Sequence, residues 1–142
     1  MAATVVDTNV LIAYADSDDP HHVDATTIVD GIDAGELPPG HVTDYVVAET
    51  LNYVGERDHH DTAVDLSHRL DRSAGLELVE TASSDVASGI ELFERYPGLS
   101  FVDATTAAYM RRSGVEYLYS FDDDFDALDG ITRLTSGLDP FG

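Results

Sequence analysis

The 142-residue chain contains neither cysteine nor lysine. Without cysteine there is no disulfide framework, no zinc ribbon and no thiol catalysis. Without lysine there is no Walker A phosphate loop and no lysine to steady an acyl phosphate, and the Gly-x-Ser-x-Gly elbow of many hydrolases is missing too. The histidines include the pairs His21-His22 and His59-His60. None has the i, i+4 spacing around a glutamate that a helical zinc site uses, so they read as surface residues. The apolar run from Ala2 to Ala15 is too short to cross a membrane and is interrupted by Asp7 and Asn9. With no leader peptide visible, the expected address is the cytoplasm.

Positive charge is scarce. Seven arginines face 28 acids, 20 Asp and 8 Glu, for a formal net charge of −21, and the acids are spread along the chain. Such a surface repels itself in dilute buffer, but the Debye length falls to about 3 Å in molar salt and the repulsion fades. The composition therefore reads as that of a protein from a salt-loving cytoplasm; an acidic nucleic-acid mimic or an acidic mesophilic protein is the alternative. The same shortage argues against a basic groove for nucleic acid, because few counterions can be released from a phosphate backbone. Binding of such a partner has to lean on metal and shape. A hydrophobic content of 43% is enough for one compact domain, residues 1–142, to bury a core unaided.

The pattern alternates short strands with helices. Thr4 to Val6 reads as a buried strand ending at Asp7-Thr8-Asn9, a polar turn into a helix over Val10 to Ala15. Ala25, Ile28, Val29 and Ile32 recur at helical spacing between Pro20 and Ala34. His41-Val42 is a minimal strand, with Thr43 capping a helix from Asp44 to Arg57 whose apolar face is Val47, Leu51 and Val54. A helix over Asp61 to Arg72 follows on Leu66 and Leu70, then a strand over Leu76 to Val79. Ser84 is placed to cap a helix carrying Val86, Ile90 and Phe93, and Ser100 to cap one from Val102 to Arg112. Tyr117 to Tyr119 and Ile131 to Leu134 read as strands flanking a short helix from Asp122 to Leu128. Tyr14, Tyr45, Tyr53 and Tyr109 have spacings that suit half-buried helix faces, base stacking being their other use. Arg111 and Arg112 suit the last turn of a helix through its dipole, contact with RNA being their other use.

Strands alternating with helices imply an α/β fold: a parallel sheet covered on both faces, three layers α/β/α, with ligands bound along the strands' carboxyl edge. Asp7 and Asp122 follow strands directly, and Asp103 begins a helix at the same level. Glu49 lies six residues beyond Thr43, roughly 9 Å along a helix, and helical side chains lean back toward the N-terminus. Each acid has an innocent role as a cap, a turn residue or a solvated face. Together they form a set. Crowded carboxylates repel and desolvation raises their pKa values, so several kept together usually surround a cation, and all-oxygen ligation suits Mg²⁺ or Mn²⁺. Such ions can activate water and relieve charge on a phosphodiester.

Four segments, in order, resemble the motifs of PIN-domain ribonucleases. They are Val5-Val6-Asp7-Thr8-Asn9-Val10-Leu11-Ile12; Thr43 through Glu49-Thr50-Leu51; Phe101-Val102-Asp103-Ala104 with Ala107-Ala108; and Tyr119-Ser120-Phe121-Asp122-Asp123-Asp124-Phe125. The resemblance implies that Asp7, Glu49, Asp103 and Asp122 are the catalytic, metal-binding acids, supported by Asn9, Thr43, Ser120 and Asp124. Ser120 departs from the more usual threonine, and Asp124 is the reserve for Asp122. Single-domain members of this size resemble VapC-type toxins, which implies a homodimer that cleaves RNA with Mg²⁺ or Mn²⁺ and is silenced by a small antitoxin. A catalytically inert PIN-like scaffold and a structure-specific DNA nuclease on a related fold are the rival expectations.

Overall fold

The computed structural model describes residues 2–142. Five short strands, β1 (Thr4–Val6), β2 (Gly40–Thr43), β3 (Leu76–Val79), β4 (Tyr117–Tyr119) and β5 (Thr132–Leu134), form one sheet in the order β3-β2-β1-β4-β5. Every pairing is parallel. Six helices connect them: α1 (Thr8–Ala15), α2 (His22–Asp33), α3 (Asp44–Arg57), α4 (His60–Arg72), α5 (Ser83–Arg95) and α6 (Phe101–Ser113). A 3-10 turn, Asp123–Ala127, bridges β4 and β5.

The period of two along β1 and β4 sorts side chains into two cores. Val6 and Tyr119 face α1 to α4, where they meet Leu11, Ile28, Val46 and Leu66. Val5 and Leu118 face the opposite way, onto Ala107 and Met110 of α6 and Phe125 of the 3-10 turn. The result is the three-layer α/β/α architecture that the alternating pattern predicts. No helix among the described residues is long and apolar enough to cross a membrane.

The expected caps hold at two of three helices. Thr43 Oγ1 accepts from Val46 N at 3.2 Å and Ser100 Oγ from Asp103 N at 3.1 Å. Ser84 does not cap α5. That helix starts at Ser83 behind Ala82, whose N–H donates to Asp85 Oδ2 at 2.8 Å, so the acid of the first turn satisfies the free backbone group. Its buried face also differs from the expected one. Ile90 and Phe93 are exposed, whereas Asp85 and Gly89 are buried. The cause is close packing on α6: a Cβ at Gly89 would lie 2.8 Å from Thr105 Cγ2 and 3.1 Å from its Cα. Along α3 the buried line is Val46, Thr50 and Val54, with Val47 and Leu51 only partly covered. Gly114 ends α6 at φ +71°, the left-handed cap that glycine adopts without a steric penalty.

Candidate active site

In a parallel sheet of this order, the connections from β1 and β4 leave in opposite directions, opening a crevice at the carboxyl ends of that central pair. Asp7 terminates β1 there. Its N–H still donates to Tyr119 O at 3.0 Å, extending the β1–β4 ladder by one bond, and its carboxylate caps α1 by accepting from Thr8 N at 2.8 Å. Ser120, the first residue past β4, donates its hydroxyl to Asp7 Oδ2 at 2.8 Å and accepts from Asp122 N at 3.0 Å. Asn9 completes the bridge: Nδ2 reaches Asp7 Oδ2 at 3.2 Å and Ser120 Oγ at 3.1 Å, while Oδ1 accepts from Phe121 N at 3.1 Å. Residues more than 110 positions apart are thus fixed against each other by side chains as well as by the backbone ladder.

A cleft of about 380 Å³ opens over this bridge, lined by Asp7, Glu49, Asp103, Asp122 and Asp124 together with Thr8, Asn9, Ser100 and others. The four acids expected from the sequence therefore share one concavity, and Asn9 and Asp124 share it with them. Ser120 lies beneath the cleft, and Thr43 acts at a distance, through the start of the helix that carries Glu49. The cleft is not the largest hollow on the surface; a hollow of about 540 Å³ lies between α5 and α6. It is the one into which the strand ends discharge their acids.

Asp7 is 2% exposed and Asp103 7%. Burial pushes the Asp7 carboxyl up to about 6 against the pull of Ser120 and the Thr8 N–H, and Glu49 and Asp122 push it further the same way. Burial also pushes Asp103 up to about 7, reinforced by repulsion from Asp7, Asp122 and Glu49 and opposed by its Ser100 partner. Exposed Asp124 is raised chiefly by its neighbour Asp122. Desolvation and like charge thus act together on the two buried acids. The innocent roles are real as well, since Asp122 Oδ1 accepts from Asp124 N and caps the 3-10 turn while its carboxylate lines the cleft.

The donor set fits a hard divalent cation. Five carboxylates line the cleft, no arginine or histidine does, and Thr8 Oγ1 is buried in the wall without a hydrogen-bond partner. Among the described residues, the one trio of carboxylates with oxygens all within 4.8 Å of one another is Asp122, Asp123 and Asp124. The four expected acids are therefore spread along the walls rather than drawn into a closed shell. Sequence reasoning passed over Thr8, Ile12, Tyr53 and Gly98 as parts of this lining. For Tyr53 a signal existed in its i, i+4 relation to Glu49. Tyr53 is also the tyrosine that departs from the packing expectation: it is 47% exposed, whereas Tyr109 is buried with its hydroxyl 2.9 Å from His41 Nδ1.

A switch-point cleft lined with acids, on a sheet of this order, defines a class, and comparison with known proteins names it. The PIN-domain profile matches residues 4–131, and the chain belongs to the PIN-domain family. Its likenesses among solved structures include a VapC toxin. VapC20 of Mycobacterium tuberculosis, described as a sarcin-ricin loop cleaving toxin, superposes with TM-score 0.76 at 27% identity, covering 87% of this chain and 93% of that one. VapBC2 of Rickettsia felis, bound to a promoter DNA fragment, gives 0.71 at 10% identity over 93% and 97% of the two chains. FitAcB of Neisseria gonorrhoeae gives 0.66 at 17% over 93% and 96%. The last two likenesses are of fold. A comparison with curated protein sequences yields no match.

Proposed function

We propose that the chain is a metal-dependent endoribonuclease that hydrolyses RNA phosphodiester bonds and serves as the toxin of a type II toxin-antitoxin pair. The observation that carries this reading is the meeting of Asp7, Glu49, Asp103 and Asp122 in one cleft, with Asp7 and Asp103 raised by burial and by the other acids. Membership of the PIN-domain family and the likeness to a loop-cleaving toxin support it. Those four acids would hold Mg²⁺ or Mn²⁺. When bound, such an ion supplies Lewis-acid relief of phosphodiester charge and lowers the pKa of water.

The chain's own residues do the positioning. Ser120 and the Thr8 N–H lock the Asp7 carboxylate in one orientation, which removes the need to reorganise it as charge builds. Asn9 ties that carboxylate to the strand end that leads to Asp122, which fixes the spacing of the two acids. Asp103 holds a proton for part of the time near neutral pH, and a bound cation would favour its release. Asp122, half-buried and facing Asp7 and Asp103, is the fourth ligand in this reading; Asp124 is exposed at the rim. The partners proposed are RNA, a second copy of the chain and a small antitoxin protein, the last supported by the likeness in fold to a toxin-antitoxin complex from Klebsiella pneumoniae. The proposed setting is a cytoplasm of high salt, where the charge of −21 is tolerated.

The test is cleavage of defined RNA and DNA oligonucleotides in molar KCl with Mg²⁺, Mn²⁺ or EDTA. RNA cut only with metal, and lost in Asp103→Asn, is the expected result. Cleavage in EDTA, or full activity in the variant, overturns the assignment. An inert protein that still binds its antitoxin identifies the scaffold, and preferential DNA cleavage identifies the DNA nuclease.

A further inference from the structure

The acids of the cleft stand beside one exposed aromatic ring, that of Tyr53. On α3, Tyr53 follows Glu49 by four residues, so both project from one helical face, Tyr53 about 6 Å farther from the sheet edge. Both line the cleft, with Ile12 of α1 beside them. Tyr53 contributes nothing to the buried line of α3, which is Val46, Thr50 and Val54, and remains 47% exposed.

Its ring is nonetheless held. One turn further on, the Arg57 guanidinium carbon lies 5.2 Å from the ring centroid. Arg57 is itself clamped: Nε and Nη2 donate to Asp58 at 3.0 and 2.8 Å, and Nη1 to Asp16 at 3.3 Å. A cation fixed against an aromatic ring restrains it, so a flat guest can stack without first ordering a loose side chain.

Charge gives this ring its importance. Four of the seven arginines, Arg57, Arg69, Arg112 and Arg133, are tied in ion pairs with the chain's own acids. Phosphate contacts can therefore supply little affinity, and high salt screens what remains. Stacking on an aromatic ring needs no net charge and accepts any base.

We propose that Tyr53 is the stacking platform for one unpaired nucleobase beside the scissile bond. The proposal rests on the nuclease reading and deepens it. The test is steady-state cleavage of a short RNA and of a series in which an abasic nucleotide is walked through the sequence, using wild type, Tyr53→Leu and Tyr53→Phe. Circular dichroism confirms that each variant folds. Tyr53→Leu should raise KM by about 5- to 100-fold, with the loss falling on KM rather than kcat. Tyr53→Phe, which keeps the ring, should recover most of that loss. One abasic position should reproduce the penalty in wild type and add almost nothing in Tyr53→Leu. Equal KM in wild type and Tyr53→Leu, or an abasic penalty undiminished in the variant, overturns the platform and leaves the nuclease standing. Wild type that cuts no RNA at all overturns the nuclease reading itself.

Discussion

Asp85 and the pair Asp7 and Asp103 are the same side chain, almost equally removed from water, with opposite electrostatics. Asp85 is 1% exposed, and burial pushes its carboxyl up, yet it ends below the ordinary value because Arg112 donates two hydrogen bonds at 2.7 and 2.9 Å and the Ala82 N–H adds a third. Asp7 and Asp103 have hydroxyl and amide partners but no arginine, and they face further acids. One region is a finished structural ion pair between α5 and α6. In the function proposed above the other is an unfinished one, in which the protein supplies the negative half and a divalent cation would supply the positive half. A buried carboxylate without a cation of its own is the sign of a site, and burial by itself is not.

The sharpest way to break the comparison is to neutralise the unfinished side. Asp7→Asn or Asp103→Asn should lower cleavage by more than about 100-fold, exceeding the 10- to 100-fold typical of residues that merely orient a ligand. Without metal, neither variant should melt earlier than wild type, because each removes repulsion; a large drop in melting temperature would make these acids structural. Ser120→Ala should reduce activity by about tenfold and move the acid limb of the pH profile upward, since it removes a hydrogen bond that favours ionised Asp7.

On the finished side, Arg112→Ala strands Asp85. Because Arg112 is 45% exposed, the loss is smaller than for a fully buried pair: a lower urea midpoint is expected, with cleavage per folded molecule unchanged. The two regions should also respond oppositely to pH. The values of about 6 and about 7 at Asp7 and Asp103 lie above the ordinary 3.8. Their ionisation therefore destabilises the metal-free fold above about pH 7, and that penalty is relieved as pH falls toward 4. Asp85 has a lowered value, so its contribution is present above 3.8 and lost as pH falls through the folded value. Melting curves of wild type and Arg112→Ala from about pH 2 to 8, without metal, separate the two, since the Asp85 contribution is lost only below 3.8. Cleavage should decline as pH drops below about 7, because protons compete with the cation. The smallest effect belongs to Asp124→Ala, within about threefold, since Asp124 is exposed and meets mainly Asp122 and Asp123. A loss equal to that of Asp122→Asn would instead make Asp124 the ligand.

Much of this arrangement was legible before any coordinates. The strand ends at Asp7 and Ser120 are marked by apolar runs breaking into polar turns, and Thr43 and Ser100 announce their helices. What escaped was partner choice. The stripe Val86, Ile90 and Phe93 has helical spacing, but spacing identifies a face without saying what covers it, and Gly89 against Thr105 turned the helix another way. Asp85 and Arg112 lie 27 residues apart in a chain with 28 acids, so no local pattern singles out their pairing.

The sequence by itself determined the alternation of strands and helices, and with it the edge at which four acids emerge, because backbone periodicity and capping are local properties. Only the tertiary structure decided which buried carboxylate received an arginine and which did not. It also decided that Tyr53 stands at the mouth of the cleft while Tyr109 is buried. Burial and charge pairing are set by neighbours that the chain brings together from a distance.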